Sequence, residues 1–379
     1  MSTPPILEFD TLLTAIPGDN PAGADLRQDR APGSLYDKIK DARSAARELE
    51  KRQERGDVDD KDLRALTPAW RTILETAPKV LAENSKDLEV TAFLIEALQR
   101  EHGVVGLRDG FRLACGLVEQ FWDNLYPMPD EDGVSTRVAP LTGLNGEGTD
   151  GTLIKPLRMT ELTGDAGGAG PFSYDDFLKA TRLLQLNAQD KAQRIAAGDV
   201  SMEAFTDAIK QTPPAFYRTL WAELKECIEE YGKFCAALDQ RCGNDAPPSS
   251  NISGLLDNVR ECLRQTAGAV VQLELPPATE EGAAAEANGE AAPDAAAAGA
   301  GPGANLRGAI ASREDALQLL RRVADYFRNA EPQSLVSYVI DDAIRRARLP
   351  LPELLAELIP DEGTRNQFFI NSGVRPPTG

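Results

Sequence analysis

The sequence predicts an all-α protein. Of its 379 residues 42% are hydrophobic but only 6% aromatic. Ala, Leu, Glu, Asp and Arg are plentiful, a balance that favours helices over strands. Through most of the chain, apolar residues also recur at steps of three and four, the spacing of one helical face. At this length more than one core is expected.

The elements follow in order. Ser34 with Asp37 reads as a helix cap, and Leu35, Ile39, Ala42, Ala46 and Leu49 then step along one face. A second helix is predicted from Thr67-Pro68, with Trp70, Ile73, Leu74, Ala77 and Leu81 inward and a kink at Pro78. Asp87 to Arg100 and Leu107 to Asn124 carry two more faces. After Tyr126, Pro127, Pro129, Pro140 and the glycines from Gly133 to Gly170 interrupt every periodicity. That stretch is read as a long loop region with one short ordered piece at Thr152 to Leu162. Ser173 with Asp176 opens a second helical block, followed by helices over Ser201 to Lys210, Ala215 to Cys242 and Ile252 to Thr266. Pro276 to Asn305 holds no Leu, Ile, Val, Met or aromatic residue and only negative charges, so it is expected to be a disordered tether. As a flexible coil it would span on the order of 30 Å. A small helical domain starts at Ser312 with Asp315, and Leu319, Leu320, Val323 and Phe327 line one face. The domains expected are therefore 1–170, 171–275, a linker over 276–306 and 307–379.

Charge narrows the partners. The formal net charge is −19, which repels phosphate backbones and anionic lipid surfaces; neither nucleic acid nor membrane insertion is expected. No segment is apolar for the length a bilayer requires, and the first ten residues do not resemble a signal peptide. A cytoplasmic protein is expected. Residues 307–379 carry ten Arg, no Lys and ten Asp or Glu, so self-association is least opposed there.

Little in the chain looks catalytic. The one histidine, His102, stands in a polar helix end before Gly103, and a catalytic triad needs a placed base. Cys115, Cys227, Cys235, Cys242 and Cys262 form no C-x-x-C pair, and an odd count suits reduced core thiols. The acidic loop Asp130-Glu131-Asp132-Gly133 lacks the glycine at six and the glutamate at twelve of a calcium loop, and Asn145 to Thr149 fails likewise. Gly164 to Gly170 is not followed by Gly-Lys-Ser/Thr, so no phosphate cradle is expected. Arg321-Arg322 and Arg345-Arg346 with Arg348 are expected to pair with neighbouring acids. No cofactor or metal is expected. The rival reading is a carboxylate- or metal-dependent enzyme using residues 130–132.

Three stretches resemble one family. Pro17-Gly18-Asp19-Asn20-Pro21-Ala22-Gly23, with Asp25-Leu26-Arg27 and Tyr36-Asp37, resembles the opening signature of the ImpA-related amino-terminal domain. Phe121-Trp122-Asp123-Asn124-Leu125-Tyr126-Pro127, with Pro129 to Gly133 and Arg137, resembles its second signature, and Leu157-Arg158 and Leu162-Thr163 continue in order. Ser312 to Ala316, Glu331 to Ser334 and Leu351 to Leu355 are similar to the end of the shorter class of TssA proteins of the bacterial type VI secretion system. Ala24, Gln28 and Leu335 depart from the pattern.

The resemblance implies a non-enzymatic component that helps assemble the baseplate and prime sheath and tube polymerisation. It also implies a homo-oligomeric ring formed through the carboxy-terminal domain, with the protein in the cytoplasm, associated with the apparatus at the inner membrane. Baseplate, sheath and tube components are the partners expected. A distal sheath-end cap is the alternative within the family, and the short tail after Ile370 argues against it. Trp122, Asp130, Asp132 and Arg137 either fix the loop structurally or form a docking surface. Leu335, Tyr338, Val339 and Leu349 are the candidate oligomer contacts.

Overall fold

The computed structural model describes residues 3–29, 31–58, 60–131, 133–165 and 170–271, and further on 317, 320–325, 328, 335–349, 354 and 357; the side chains of 60–65 and 269–271 are outside that description. The expected linker and Asp132 lie outside the described residues, as do the sequence stretches 312–316, 331–334 and 351–353. Among the described residues there are helices and isolated bridges but no strand, so the fold is all-α. The chain divides at Gly282 into two compact units.

In the first unit, α1 (Phe9–Leu12) is followed by a hairpin of two long helices, α2 (Leu35–Glu54) and α3 (Asp60–Glu83). Ser34 caps α2 by accepting from the Asp37 backbone N–H. Ile39 and Ala46 are the buried stripe of α2, and Trp70, Ile73, Ala77 and Leu81 that of α3. Helix α3 begins seven residues before the predicted Thr67 and runs through Pro68 and Pro78. Packing along α2 outweighs the missing proline donors.

Helix α4 (Leu88–Phe121) is apolar on nearly all sides, as a helix surrounded by others must be. Gly103 interrupts it with φ 56° and ψ −132°, and the two arms, 88–102 and 104–121, fold back on one another. A straight helix of 34 residues would be about 51 Å long. Here the Leu88 N–H donates to Tyr126 O at 2.7 Å, and a Cβ on Gly110 would touch Ile95 at 2.7 Å. The close approach is possible because Gly106 has no Cβ, which would meet Leu98 O at 2.1 Å. The two helices predicted from the sequence are these two arms.

The region read as loop contains a helix, α5 (Val134–Asn145), with Val138, Leu141 and Leu144 buried on one side despite Pro140. The short α6 (Ile154–Arg158) falls within the predicted ordered piece. Then come α7 (Tyr174–Leu183), opened by a capping box of Ser173 and Asp176, α8 (Ala188–Ala196), α9 (Met202–Gln211), α10 (Pro214–Cys242) and α11 (Ser250–Val271). Helix α8 buries no residue, so it had no apolar stripe to announce it.

Helix α10 packs along α4, with Phe111 against Tyr231 and Phe234 at ring-centroid distances of 4.6 and 6.3 Å. Arg108, almost fully buried on α4, binds Asp109 at 2.8 Å and Glu226 of α10 at 3.0 Å. The buried Asn145 ends α5 and starts α11, because its Oδ1 accepts from the Ile252 N–H at 2.9 Å. In the second unit, α12 (Val336–Arg348) has Ser337 and Ile344 buried.

Candidate functional site

Both signature stretches meet at the open end of the α4 hairpin. The segment before α4 supplies the contacts. Lys86 N–H donates to Ala22 O at 2.8 Å, Ala24 N–H to Asn84 O at 3.0 Å, and Tyr126 N–H to Lys86 O at 3.0 Å. Asn20 Nδ2 reaches Tyr126 Oη at 3.1 Å, which links the first signature directly to the second. Gly23 is required at this junction. Its φ is +77°, and a Cβ there would lie 2.2 Å from Asn84 O.

Asp87 organises the front of the site. It is fully buried, caps α4 by accepting from the Glu89 and Val90 N–H groups, and receives Arg27 at 2.7 Å. Arg27 also binds Glu89 at 2.6 Å, and Tyr36 Oη donates to the same Glu89 oxygen at 2.8 Å. Burial on its own would lower the Arg27 pKa, but Asp87 and Glu89 raise it further above its ordinary value. Burial, reinforced by Glu89, pushes the Tyr36 phenol up to about 12. Asp25, Arg27 and Tyr36 of the first signature thus form one charge network with α4.

Behind it lies Lys86, fully buried. Its ammonium donates to Leu12 O at 2.8 Å and Leu81 O at 2.7 Å, and stands 5.4 Å from the Phe121 ring centroid. These carbonyls belong to the last turns of α1 and α3, where helix dipoles favour a cation. Burial nevertheless lowers the Lys86 pKa to about 8. Nothing in the sequence pattern marked Lys86 or Glu89, because a lysine or glutamate in a polar start of helix ordinarily faces water.

Of the predicted loop residues, Arg137 is 2% exposed. Its guanidinium donates to Trp122 O at 2.7 Å and Pro127 O at 3.0 Å and lies 4.8 Å over the Trp122 ring. Burial lowers its pKa. Asp130 is exposed and accepts from the Thr136 hydroxyl. The loop clamp therefore joins Arg137 to main-chain carbonyls, with Asp130 bound separately.

Elsewhere, all five cysteines are free thiols, and Cys115, Cys227 and Cys262 are buried. Burial pushes Cys115 up to about 11, Cys262 up to about 12, and Cys227 up as well. Among the described residues no group of three or more His, Cys, Asp or Glu is arranged to hold a metal ion. At the start of α12, the capping residue Leu335 and, within the helix, Tyr338 and Val339 are 75%, 64% and 65% exposed. Leu349, partly buried, follows the helix about 15 Å from Val339 along the axis. Arg345 and Arg346 both pair with Asp342 and Glu357. Among the described residues no helix is long and apolar enough to cross a membrane.

The unit is all-helical, with a glycine-bearing opening segment and a second, arginine-clamped loop closing one end of a bent central helix. A family model described as ImpA, N-terminal, type VI secretion system matches residues 13–146. The structure resembles the N-terminal domain, including the ImpA_N region, of the TssA component of the type VI secretion system from Burkholderia cenocepacia. That likeness has a TM-score of 0.58 at 28% identity and covers 69% of this chain and 94% of that one. The sequence is also 28% identical to the type VI secretion system component TssA1 of Pseudomonas aeruginosa over 363 residues, 94% of this chain and 96% of that protein. Together these likenesses support a place for the chain in the TssA family of type VI secretion system components.

Proposed function

We propose that the protein is a non-enzymatic, ring-forming scaffold of the type VI secretion system, assembling through its carboxy-terminal segment and helping to build the baseplate and prime sheath and tube polymerisation. In this reading it works in the cytoplasm, against the apparatus at the inner membrane. The observation that carries the reading is the outer face of α12. Three large apolar side chains, Leu335, Tyr338 and Val339, stand exposed together there, in a segment, 307–379, whose ten Arg balance its ten Asp or Glu. Single exposed apolar residues need no explanation, but a group of this kind suits contact with another copy. Several copies of an ImpA-type domain held in one ring would bind a multivalent target at raised effective concentration.

The amino-terminal unit is the partner-binding module in this scheme. Beside the Arg27, Asp87 and Glu89 network runs a groove of about 740 Å³ bordered by Tyr36, Phe93 and Met128. Met128, between the two parts of the second signature, is 46% exposed. Light scattering after size exclusion tests the scaffold reading: a large assembly for the full chain, reduced to monomer or dimer by ending the chain at Leu275, supports it, and a monomeric full chain overturns it.

A further inference from the structure

At the hinge end of the α4 hairpin, opposite the signature site, lies a second groove of about 1060 Å³. Its walls come from the end of α2, the α4 hinge, the α6 segment and the first turns of α10. Two features set it apart. Gln99, 5% exposed, lines the groove, and its Oε1 has no partner among the described residues. The Thr152 Oγ1, also in the wall, is buried and equally without one. Buried polar atoms are nearly always satisfied, and two orphans in one groove call for a donor and acceptor from outside. An amide oxygen takes only a donor and a hydroxyl takes either, a pair that a main-chain peptide unit matches.

The rim supplies a sign. Arg47 and Arg100 are both held by Glu50, and Lys155 by Glu54. Glu50 sits below its ordinary pKa: burial would raise it, but Arg100 and Arg47 more than compensate. Glu101 and Glu161 are exposed, and with Glu50, Glu54 and Glu223 the carboxylates lining the groove outnumber Arg47, Arg100 and Lys155, so its net charge is negative. The apolar surface between them includes Met159, 49% exposed, with Phe216 and Leu220. The volume stands at the top of the range for small-molecule sites, about 300–1,000 Å³, and suits a peptide segment.

We propose that this groove binds a peptide segment of a partner protein, one carrying an apolar anchor side chain flanked by Lys or Arg, with its main chain bonded to Gln99 Oε1 and Thr152 Oγ1. The site is distinct from both the signature groove and the α12 face, so it does not depend on the scaffold reading.

The test is selection of a random displayed peptide library on the full chain, with counter-selection on the Glu101→Lys/Glu161→Lys variant, followed by fluorescence anisotropy with a synthetic copy of the enriched peptide. The expected result is enrichment of apolar sequences flanked by basic residues. Their binding should weaken about tenfold on charge reversal and fall further with added salt. Gln99→Leu, close in volume, should keep the melting temperature while weakening binding about fivefold, the worth of one neutral hydrogen bond. No enrichment over the charge-reversed protein, or selection of acidic peptides, overturns the proposal. So does binding indifferent to Gln99→Leu, which would leave ordered water as the partner of the orphan atoms.

Discussion

Replacing Gly23 by alanine should loosen the joint between the two signature stretches. The new Cβ would sit 2.2 Å from Asn84 O and 2.8 Å from Ile16 Cδ1, where ordinary contact begins at 3.4 Å. A backbone carbonyl cannot yield more than an ångström without stretching its bond from the Ala24 N–H, now 3.0 Å, and drawing on the adjacent Lys86 to Ala22 bond at 2.8 Å. Losing these two bonds costs about 1 kcal/mol each. Holding a non-glycine residue at positive φ adds about 1 kcal/mol. The total, about 3 kcal/mol, corresponds to a fall of about 6–12 °C in melting temperature for a unit of this size. Gly33→Ala is the control, since its φ is +78° with nothing within 4 Å of the added Cβ. It carries the backbone strain alone and should cost about 2–4 °C. Thermal unfolding followed by circular dichroism on the full chain measures both. Equal shifts for the two variants would refute the reasoning, because the difference between them is the contact with Asn84.

Lys86→Met should remove a pH dependence. With the folded pKa lowered to about 8 from 10.5, the unfolded chain holds a proton that the folded chain lacks across that window. Wild-type stability should therefore rise relative to Lys86→Met as pH climbs from 8 to 10.5, by up to about 3 kcal/mol; urea unfolding at both ends of the window measures it, and parallel stabilities would contradict it. Arg137→Ala leaves Trp122 O and Pro127 O without their donor and should cost about 3 kcal/mol. Arg137→Lys should rescue little of that, because an ammonium cannot span both carbonyls. If instead Arg137→Ala melts as the wild type does and loses only partner pull-down, the residue serves docking and the clamp is incidental. Buried Cys115, Cys227 and Cys262 should resist an aromatic disulfide reagent at pH 8 until denaturant is added, whereas rapid labelling of all five thiols would contradict their raised pKa values.

What the sequence made legible follows from the physics of each element. Long helices with one apolar stripe, such as α2 and α10, were readable because a core-facing surface repeats at helical spacing. Helix α5 was obscured by Pro140 and Gly143, although Val138, Leu141 and Leu144 keep the spacing within it, and the solvated α8 had no inward face to read. The fold-back of α4 could not be read from periodicity, since both arms are apolar on most sides; Gly103 and Gly106 were its only local marks. In the site, Arg137 and Trp122 were picked out as a resemblance, but the partners of Arg137 are main-chain carbonyls, which no side-chain pattern reports. The Arg27, Asp87 and Glu89 network joins residues 60 apart or more. A lysine buried among helix ends is invisible until the ends are placed together.

The proposed scaffold requires the protein to assemble with itself through the carboxy-terminal segment. Its most direct test is the solution mass, by light scattering after size exclusion, of the full chain and of the Tyr338→Glu/Val339→Glu variant. Both side chains are about two-thirds exposed, at 64% and 65%, so the substitutions should leave the fold of the chain intact. A large assembly for the wild type that falls to monomer or dimer in the variant is the result predicted here; a monomeric wild type, or a mass unchanged by two added charges on that face, would contradict it.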